Sequence, residues 1–462
     1  MLAALRGPYR FLIRNWLVVV VFSASSIILV HRLKHHYHLS YDLDVVKPVE
    51  NLLFKTGYVL RFHGGKEIRF RVHILRRRLC KVKLESFLRI GDFKLHLIPH
   101  SSVASLQETY ECGSRCTHGS FAIDYILRNA KIIDLRSVKD KPKPHKLVVC
   151  GKPLHLLTDW QQIVQYVEIW RVIGATKIMV PVMTVTKEVW RVLRVFEKDG
   201  LVDIVEWPAT LDIPEANFQS RYHEETLALT DCLLRRKVDT EWAISADPDE
   251  LVLVYNSSLS ALLTSTVARD PKVGAVHLRI SNVHSRANGT ESWRKVEMQH
   301  PSQVDFEYLK KVDRENTTTA IVGKTFFRLD VVTIGGVHSV RQWAEGGFHN
   351  QDIDPSVALF YHMRKAKSAL HKRRPSTFDE RPARLVAVAQ RNWQQRQRKH
   401  FAETDELMVR GLVPEQQVQD CIVRLNFKGQ CRANRHVCVG NATSVPPADW
   451  IDSPNTGTWT SL

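Results

Sequence analysis

The sequence predicts an α/β fold: a Rossmann-type, mostly parallel sheet with helices on both faces, preceded by a smaller β-rich domain and an N-terminal transmembrane helix. Three observations carry this. From Lys146 onward, short apolar runs alternate with amphipathic stretches of helical period. Residues 51 to about 99 instead hold runs such as GYVLRF, EIRFRVHIL and DFKLHLI, which alternate apolar with basic residues between glycines, as antiparallel strands do. Residues 15–31, NWLVVVVFSASSIILVH, contain no Asp, Glu, Lys or Arg. The chain has 462 residues, 44% hydrophobic and 25% charged, enough core for two or three domains.

The apolar stretch divides the N-terminus into a tail (1–14), a span (15–33) and a polar, His-rich stem (34–50). As a helix the 15–31 run would be about 25 Å long, sufficient for a thin bilayer. A cleaved signal peptide is the alternative, because the run is short and contains SASS. Arg6, Arg10 and Arg14 precede it, against Arg32 and Lys34 after it, which favours a cytoplasmic tail and a lumenal body. Either way the body enters the secretory pathway. Four sequons, at Asn256, Asn288, Asn316 and Asn441, agree with that. So do eight cysteines, enough for up to four disulfides, with Cys421, Cys431 and Cys438 stapling the C-terminal end. Cys112-x3-Cys116-x-His118 lacks the second ligand pair of a familiar zinc site. Lys+Arg 66 against Asp+Glu 48 gives +18, which suits anionic lipid or a negatively charged small molecule. The compartment excludes nucleic acid.

The β-rich domain occupies 51–138, and the Pro/Lys run KDKPKPHK (139–146) links it to a domain over 145–366. KLVVC is the first strand there. Thr158-Asp-Trp-Gln161 reads as a capping box opening a helix with Ile163, Val164, Val167, Trp170 and Ile173 inward, closed by Gly174. KIMVPV is the next strand, and Thr186 caps a helix with Val189, Val192, Leu193 and Phe196 inward, ended by Gly200. LVDIVEW is a third strand, a helix follows over about 220–236, and EWAIS is the fourth strand. Residues 367–462 form a basic, Cys-containing C-terminal region, and the basic runs KAKSALHKRRP, starting at Lys365, and QRNWQQRQRKH read as a solvated helix face.

At the carboxyl end of the fourth strand stands Asp247-Pro248-Asp249-Glu250, where open α/β sheets bind ligands. Asp-Pro-x-Glu also suits a helix N-terminus. The next residues, LVLVY, leave no polar face for a helix, so an exposed turn between buried segments is preferred. Pro248 fixes its own φ and pushes Asp247 toward an extended conformation, letting both aspartates face one side. Paired carboxylates of this kind suit a hard cation, Mn²⁺ or Mg²⁺, bridging to the diphosphate of a nucleotide and acting as Lewis acid on the leaving group.

The runs VVCGKPLHLLTDWQQIVQYVEIWRVIGATKIMVPV, VFEKDGLVDIVEWP and LTDCLLRRKVDTEWAISADPDE, followed by GVHSV and YHMRKA, resemble glycosyltransferase family 92 over about residues 121–366. The resemblance implies a GT-A-like fold and a type II Golgi (or ER–Golgi) membrane protein that takes a UDP-sugar donor, with galactosyl transfer to a glycan known in some members. It implies that Asp247 and Asp249 bind metal and UDP, and it matches Glu250, His362 and Arg364 to the family's following acid and His-x-Arg element. Pro248 and Glu225 depart from the family pattern, where an aliphatic residue and Gln are expected.

Around this centre the expected metal ligands are Asp247, Asp249 and His362, with His338 a lesser alternative. Asp247, Asp249, Lys324 and Arg364 are the expected donor-binding residues, and Arg328 is a further candidate for phosphate. An inverting transfer needs a carboxylate base. Glu345, beside Gly346-Gly347 and Trp343 as a sugar-stacking face, is the first candidate, with Asp352 and Asp354 competing. Asp249 joins Glu345 in the catalytic set through the metal it would hold. Gly335-Gly336 either admits a donor or makes a turn. The expected function is metal-dependent transfer of a sugar from a UDP-sugar to a glycan on a glycoprotein or glycolipid. The alternative is a catalytically inactive glycan-binding scaffold of the same fold.

Overall fold

The computed structural model describes residues 143–207, 225–237, 239–286, 297–316, 319–344, 346–364, 375–410, 417 and 445–453, together with the backbone of five strands between residues 52 and 128. The predicted span (15–33), the stem and six of the eight cysteines lie outside the described residues, and among these no helix is long and apolar enough to cross a membrane.

The five early strands are β1 (Leu52–Arg61), β2 (Glu67–Arg77), β3 (Ser86–Ile90), β4 (Phe93–Ser105) and β5 (His118–Arg128). They form one antiparallel sheet in the order β1-β2-β5-β4-β3; the alternating runs before residue 99 predict antiparallel strands, while β5 and the strand order were not foretold.

The second unit is a mixed α/β layer structure built on a 13-stranded sheet. Its parallel part follows the predicted alternation: β6 (His145–Cys150), β7 (Leu154–Leu157), helix α1 (Trp160–Ile173), β8 (Lys177–Thr186), α2 (Lys187–Lys198), β9 (Val202–Glu206), α3 (Glu225–Arg236) and β10 (Thr240–Ser245). β10 pairs with β6, β6 with β8, and β8 with both β7 and β9, all parallel. These strands are nearly continuous apolar runs because helices cover them; Val148, Val149, Val180, Val182 and Ile244 are buried. Ile163, Val164, Val167 and Trp170 on α1, and Val189, Val192, Leu193 and Phe196 on α2, face inward as their spacing requires.

The α1 cap sits one residue later than expected. Asp159 is the N-cap, and its carboxylate accepts from the Gln162 amide at 3.0 Å; Thr158 is buried behind it. Asp159→Ala is expected to cost about 1 kcal/mol in urea unfolding, whereas Thr158→Val should leave the helix start intact. Thr186 does occupy the N-cap of α2, without a side-chain capping bond. Gly174 and Gly200 end these helices at φ 121° and 72°, conformations that exact little from a residue without Cβ.

Beyond β10 the chain adds strands that the alternation did not foretell. β11 (Glu250–Val254), α4 (Leu259–Arg269), β12 (Val273–Ser285), β13 (Glu297–Gln299), β14 (Val312–Glu315), β15 (Thr319–Arg328), β16 (Val332–Gly335), β17 (Val340–Trp343), β18 (His349–Asp352), β19 (Ala358–Met363) and β20 (Ser376–Asp379) follow. The sheet runs β11-β19-β12-β15-β10-β6-β8, with β15 antiparallel to both β10 and β12. β11 returns antiparallel to β19, which is itself parallel to β12.

The C-terminal region completes this same core rather than standing apart from residue 366. β21 (Leu407–Val409) pairs with β13, and β22 (Trp450–Asp452) extends the sheet beside β8. Helix α5 (Ala383–His400) carries the run expected to be a solvated face. It buries Leu385, Val386, Ala389 and Trp393, with the Trp393 ring 5.8 Å from Phe196 and 6.1 Å from Phe401. Arg396 is buried too, donating to Glu168 of α1 at 2.9 Å and pairing with Asp199. Paired in this way, a basic residue counts toward the core.

Candidate functional site

The site grows from the register of two parallel strands. Ser245 of β10 lies opposite Cys150 of β6, the last residue of each. Two residues further on, Asp247 and Lys152 are therefore brought side by side at the carboxyl edge, and Lys152 Nζ is 2.9 Å from Asp247 Oδ2. A disulfide joins Cys150 to Cys232 of α3, with Cα atoms 5.9 Å apart, and so fixes α3 beneath this edge.

Residues 247–250 form the turn expected of them, not a helix. The Asp247 amide donates to Glu250 Oε2 at 2.8 Å, and the Glu250 amide donates to the Asp247 carbonyl at 3.0 Å. Two residues of α1, one turn apart, hold the flanks: Tyr166 Oη donates to the Ala246 carbonyl at 3.1 Å and Trp170 Nε1 to the Glu250 carbonyl at 3.0 Å. Trp170 was legible as an inward residue of α1, but its hold on the turn was not.

β19 supplies the other wall. Glu250 and His362 are register partners, and the Met363 amide donates to the Asp249 carbonyl at 2.7 Å. His362 Nε2 thus lies 3.1 Å from Asp249 Oδ2, with Nδ1 3.8 Å from Glu250 Oε1. Arg364 donates from Nε to Asn282 Oδ1 at 2.8 Å and places Nη1 3.2 Å from His362 Nε2. Asp247 and Asp249 from one run, and His362 and Arg364 from another more than 110 residues away, meet here.

Lys324 is also present, in a role different from the expected surface contact with phosphate. Ile244 pairs with Phe326 on β15, so Lys324 comes under the turn, where Nζ meets Glu250 Oε2 at 2.6 Å with both side chains 3% exposed. Burial works against its charge, but Glu250, Asp247 and Glu225 outweigh that and hold its pKa above the ordinary range. Burial likewise opposes ionisation of Asp247, and Lys152 and Lys324 outweigh it, so this carboxyl titrates below its usual range.

Glu225, at the start of α3, is pushed up to about 7, first by burial and then by Asp247. Between its ordinary value of 4.5 and about 7 the folded chain holds a proton that the unfolded chain has lost, so stability falls as pH rises through that window. Glu225→Gln is expected to flatten this slope and to add about 1–3 kcal/mol at pH 7.5, read from urea melts across pH 4–8.

The remaining candidates are spread more widely. Glu345 lies outside the described residues. Asp352, exposed on β18, pairs at His277 of β12, five residues before Asn282, the register partner of His362, or about 16 Å along the strand. Asp354 is exposed in a turn, accepting from the Ser356 amide at 2.8 Å. Arg328 pairs opposite Trp242, well back from the strand end, and donates to the Pro271 carbonyl at 3.0 Å. His338 Nδ1 is 2.5 Å from the Gly323 carbonyl, and burial lowers its pKa; it is a tied, neutral ring. Gly335 packs against α3, where an added Cβ would lie 2.6 Å from Leu233 Cδ1, and the Gly336 amide closes a turn onto the Ser339 carbonyl at 2.7 Å. Trp343, half-buried, packs on Phe348 at 6.4 Å and lies against Gly274.

Lys152 and Glu225 as site residues were missed by sequence reading. Lys152 follows a strand with no local partner, since Asp247 is 95 residues away. The one signal for Glu225 was its departure from the expected Gln.

The donor set fits a hard divalent cation. Asp249 Oδ2 and His362 Nε2, 3.1 Å apart, match two adjacent ligands of an octahedral ion with bonds of about 2.1–2.2 Å. Asp247 Oδ1 is buried without a hydrogen-bond partner. Among the described residues no three His, Cys, Asp or Glu side chains close around one point, and Asp249 with His362 forms an open edge. Open positions of that kind suit phosphate oxygens and water.

The sequence model described as Glycosyltransferase family 92 matches residues 145–426. Among proteins of Caenorhabditis elegans, one glycosyltransferase family 92 protein is 26% identical over 127 residues, covering 26% of this chain and 25% of its own. Another is 24% identical over 227 residues, covering 48% and 42%. The chain thus aligns with less than half the length of these relatives. Of solved structures, Staphylococcus aureus TarS 1–349 is 8% identical over 40% of this chain and 47% of that one, with a TM-score of 0.22. WbbM, a bifunctional glycosyltransferase, is 11% identical over 41% and 32%, with a TM-score of 0.20. Neither likeness is close enough to build on.

Proposed function

The chain belongs to glycosyltransferase family 92, and on that premise we propose that it catalyses metal-dependent, inverting transfer of a hexose, galactose being the first candidate, from a UDP-sugar to a glycan on a glycoprotein or glycolipid. The observation that carries this reading is the Asp249–His362 pair, 3.1 Å apart, at the rim of a turn that holds a second aspartate at a strand end. In this reading the fold is GT-A-like, and the protein is a type II single-pass Golgi membrane protein with a lumenal body.

Asp249 and His362 would hold Mn²⁺ or Mg²⁺, with Asp247 completing the acidic turn. When bound, the ion supplies Lewis-acid stabilisation of the departing diphosphate. The chain's own residues do the rest. Tyr166 and Trp170 fix the turn so that its carboxylates need no reorganisation. Lys324 holds Glu250 from below. Arg364, exposed beside His362, would meet donor phosphate. Glu345 is the proposed base that takes the proton from the acceptor hydroxyl.

The test is a screen of UDP-sugars with the full-length chain purified in detergent, reading UDP release with and without an acceptor glycan mixture. Release with at least one donor, dependent on Mn²⁺ and abolished by EDTA, is expected. A folded chain that turns over none of the UDP-sugars, while still binding glycans, points to the non-catalytic scaffold and overturns the proposal.

A further inference from the structure

A lysine is an unexpected partner for a carboxylate at a metal site, because two cations repel across the oxygen they share. Yet Lys152 Nζ occupies Asp247 Oδ2 at 2.9 Å, while Asp247 Oδ1 stays buried and unpartnered. The two lysines of the site are placed differently. Lys324 is 3% exposed and closed in by Glu250. The Lys152 side chain is 39% exposed, and its backbone is fixed between the end of β6 and Pro153. An added Cβ at the preceding Gly151 would lie 3.1 Å from the Met179 carbonyl, so the strand end that carries Lys152 is seated tightly on β8. Backbone movement is therefore small, but the four-carbon side chain can swing, carrying three donors on a point charge.

Charge counting gives the direction of that swing. Asp247, Asp249, Glu250 and Glu225 face Lys152, Lys324, Arg364 and one histidine. An incoming divalent ion would meet an ammonium already seated on the acidic turn. An incoming diphosphate would offer that ammonium a better partner, and the vacated Asp247 would become available to the ion.

We propose that Lys152 is a counter-ion switch: it neutralises Asp247 in the donor-free protein and passes to the diphosphate of the nucleotide donor on binding, so that the divalent ion enters with the nucleotide and not ahead of it. This rests on the nucleotide-sugar reading of the site. Lys152 thereby sets the order of binding and positions the donor, and no proton transfer is asked of it.

Calorimetric titration of the full-length chain with Mn²⁺ alone, and with UDP in excess Mn²⁺, separates these effects. Lys152→Met and Lys152→Gln are expected to bind Mn²⁺ alone about tenfold more tightly than the parent, and UDP–Mn²⁺ about tenfold more weakly. Lys152→Arg, which keeps the charge, is expected to exclude Mn²⁺ as the parent does, and thermal melts check that each variant is folded. Variants that bind Mn²⁺ no more tightly than a parent competent for UDP–Mn²⁺ overturn the switch and leave the site reading intact. So does Lys152→Arg if it gains Mn²⁺ affinity as the neutral variants do. A parent that binds neither Mn²⁺ nor UDP overturns the site reading and the switch together.

Discussion

Asp249→Ala is expected to lower kcat/KM for Mn²⁺-dependent UDP release by at least about a thousandfold, equivalent to about 4 kcal/mol of transition-state stabilisation. The loss should fall on activity and not on folding. The Asp249 side chain is 27% exposed, and the bond that locks its segment to β19 is made by its backbone carbonyl, which the substitution leaves in place. A melting temperature within a few degrees of the parent is therefore expected. Glu250→Ala supplies the contrast. It removes the direct ion-pair partner of buried Lys324, a change that costs roughly 3–5 kcal/mol, so this variant should fail in stability first. If Asp249→Ala keeps parental turnover, the metal edge assigned to Asp249 and His362 is wrong.

The second large effect is structural. Cys150 and Cys232 close a loop of sequence separation 82, and in the chain-entropy account such a cross-link stabilises by about 4.5 kcal/mol. The double variant Cys150→Ser, Cys232→Ser is expected to lose that amount in urea unfolding and to melt roughly 5–7 °C lower. It should also weaken donor binding. The bridge ties the strand end that precedes Lys152 to the helix that begins with Glu225, and both charges face Asp247. A loss below about 1 kcal/mol would mean that packing of Leu229 and Leu233 against the sheet already secures α3.

Legibility differed along the chain for identifiable reasons. The parallel half of the sheet was readable because apolar runs and 3.6-residue periods state each element locally, down to Gly174 and Gly200. The acidic turn was readable because a β-rich exit leaves Asp-Pro-Asp-Glu no helix to cap. What a strand pairs with is not a local property. β15 enters antiparallel between β10 and β12, and nothing in its own residues says so. The same limit hid Lys152, whose meaning depends on a register 95 residues away, and left Arg328 a candidate for phosphate although it stands at the wrong end of the strand. Charge was misread in the opposite sense on α5. Arg396 belongs to the interior because Glu168 and Asp199 wait for it there.

That last placement defines a minimum length for the protein. Trp393 fills the space between Phe196 and Phe401, and Arg396 neutralises two acids from elsewhere in the chain. A shortened transcript stopping after residue 366 would retain every predicted ligand of the acidic turn, yet encode a chain with α1 stripped of its cover. Such a product would carry a complete acidic turn on a core that lacks the packing to hold it.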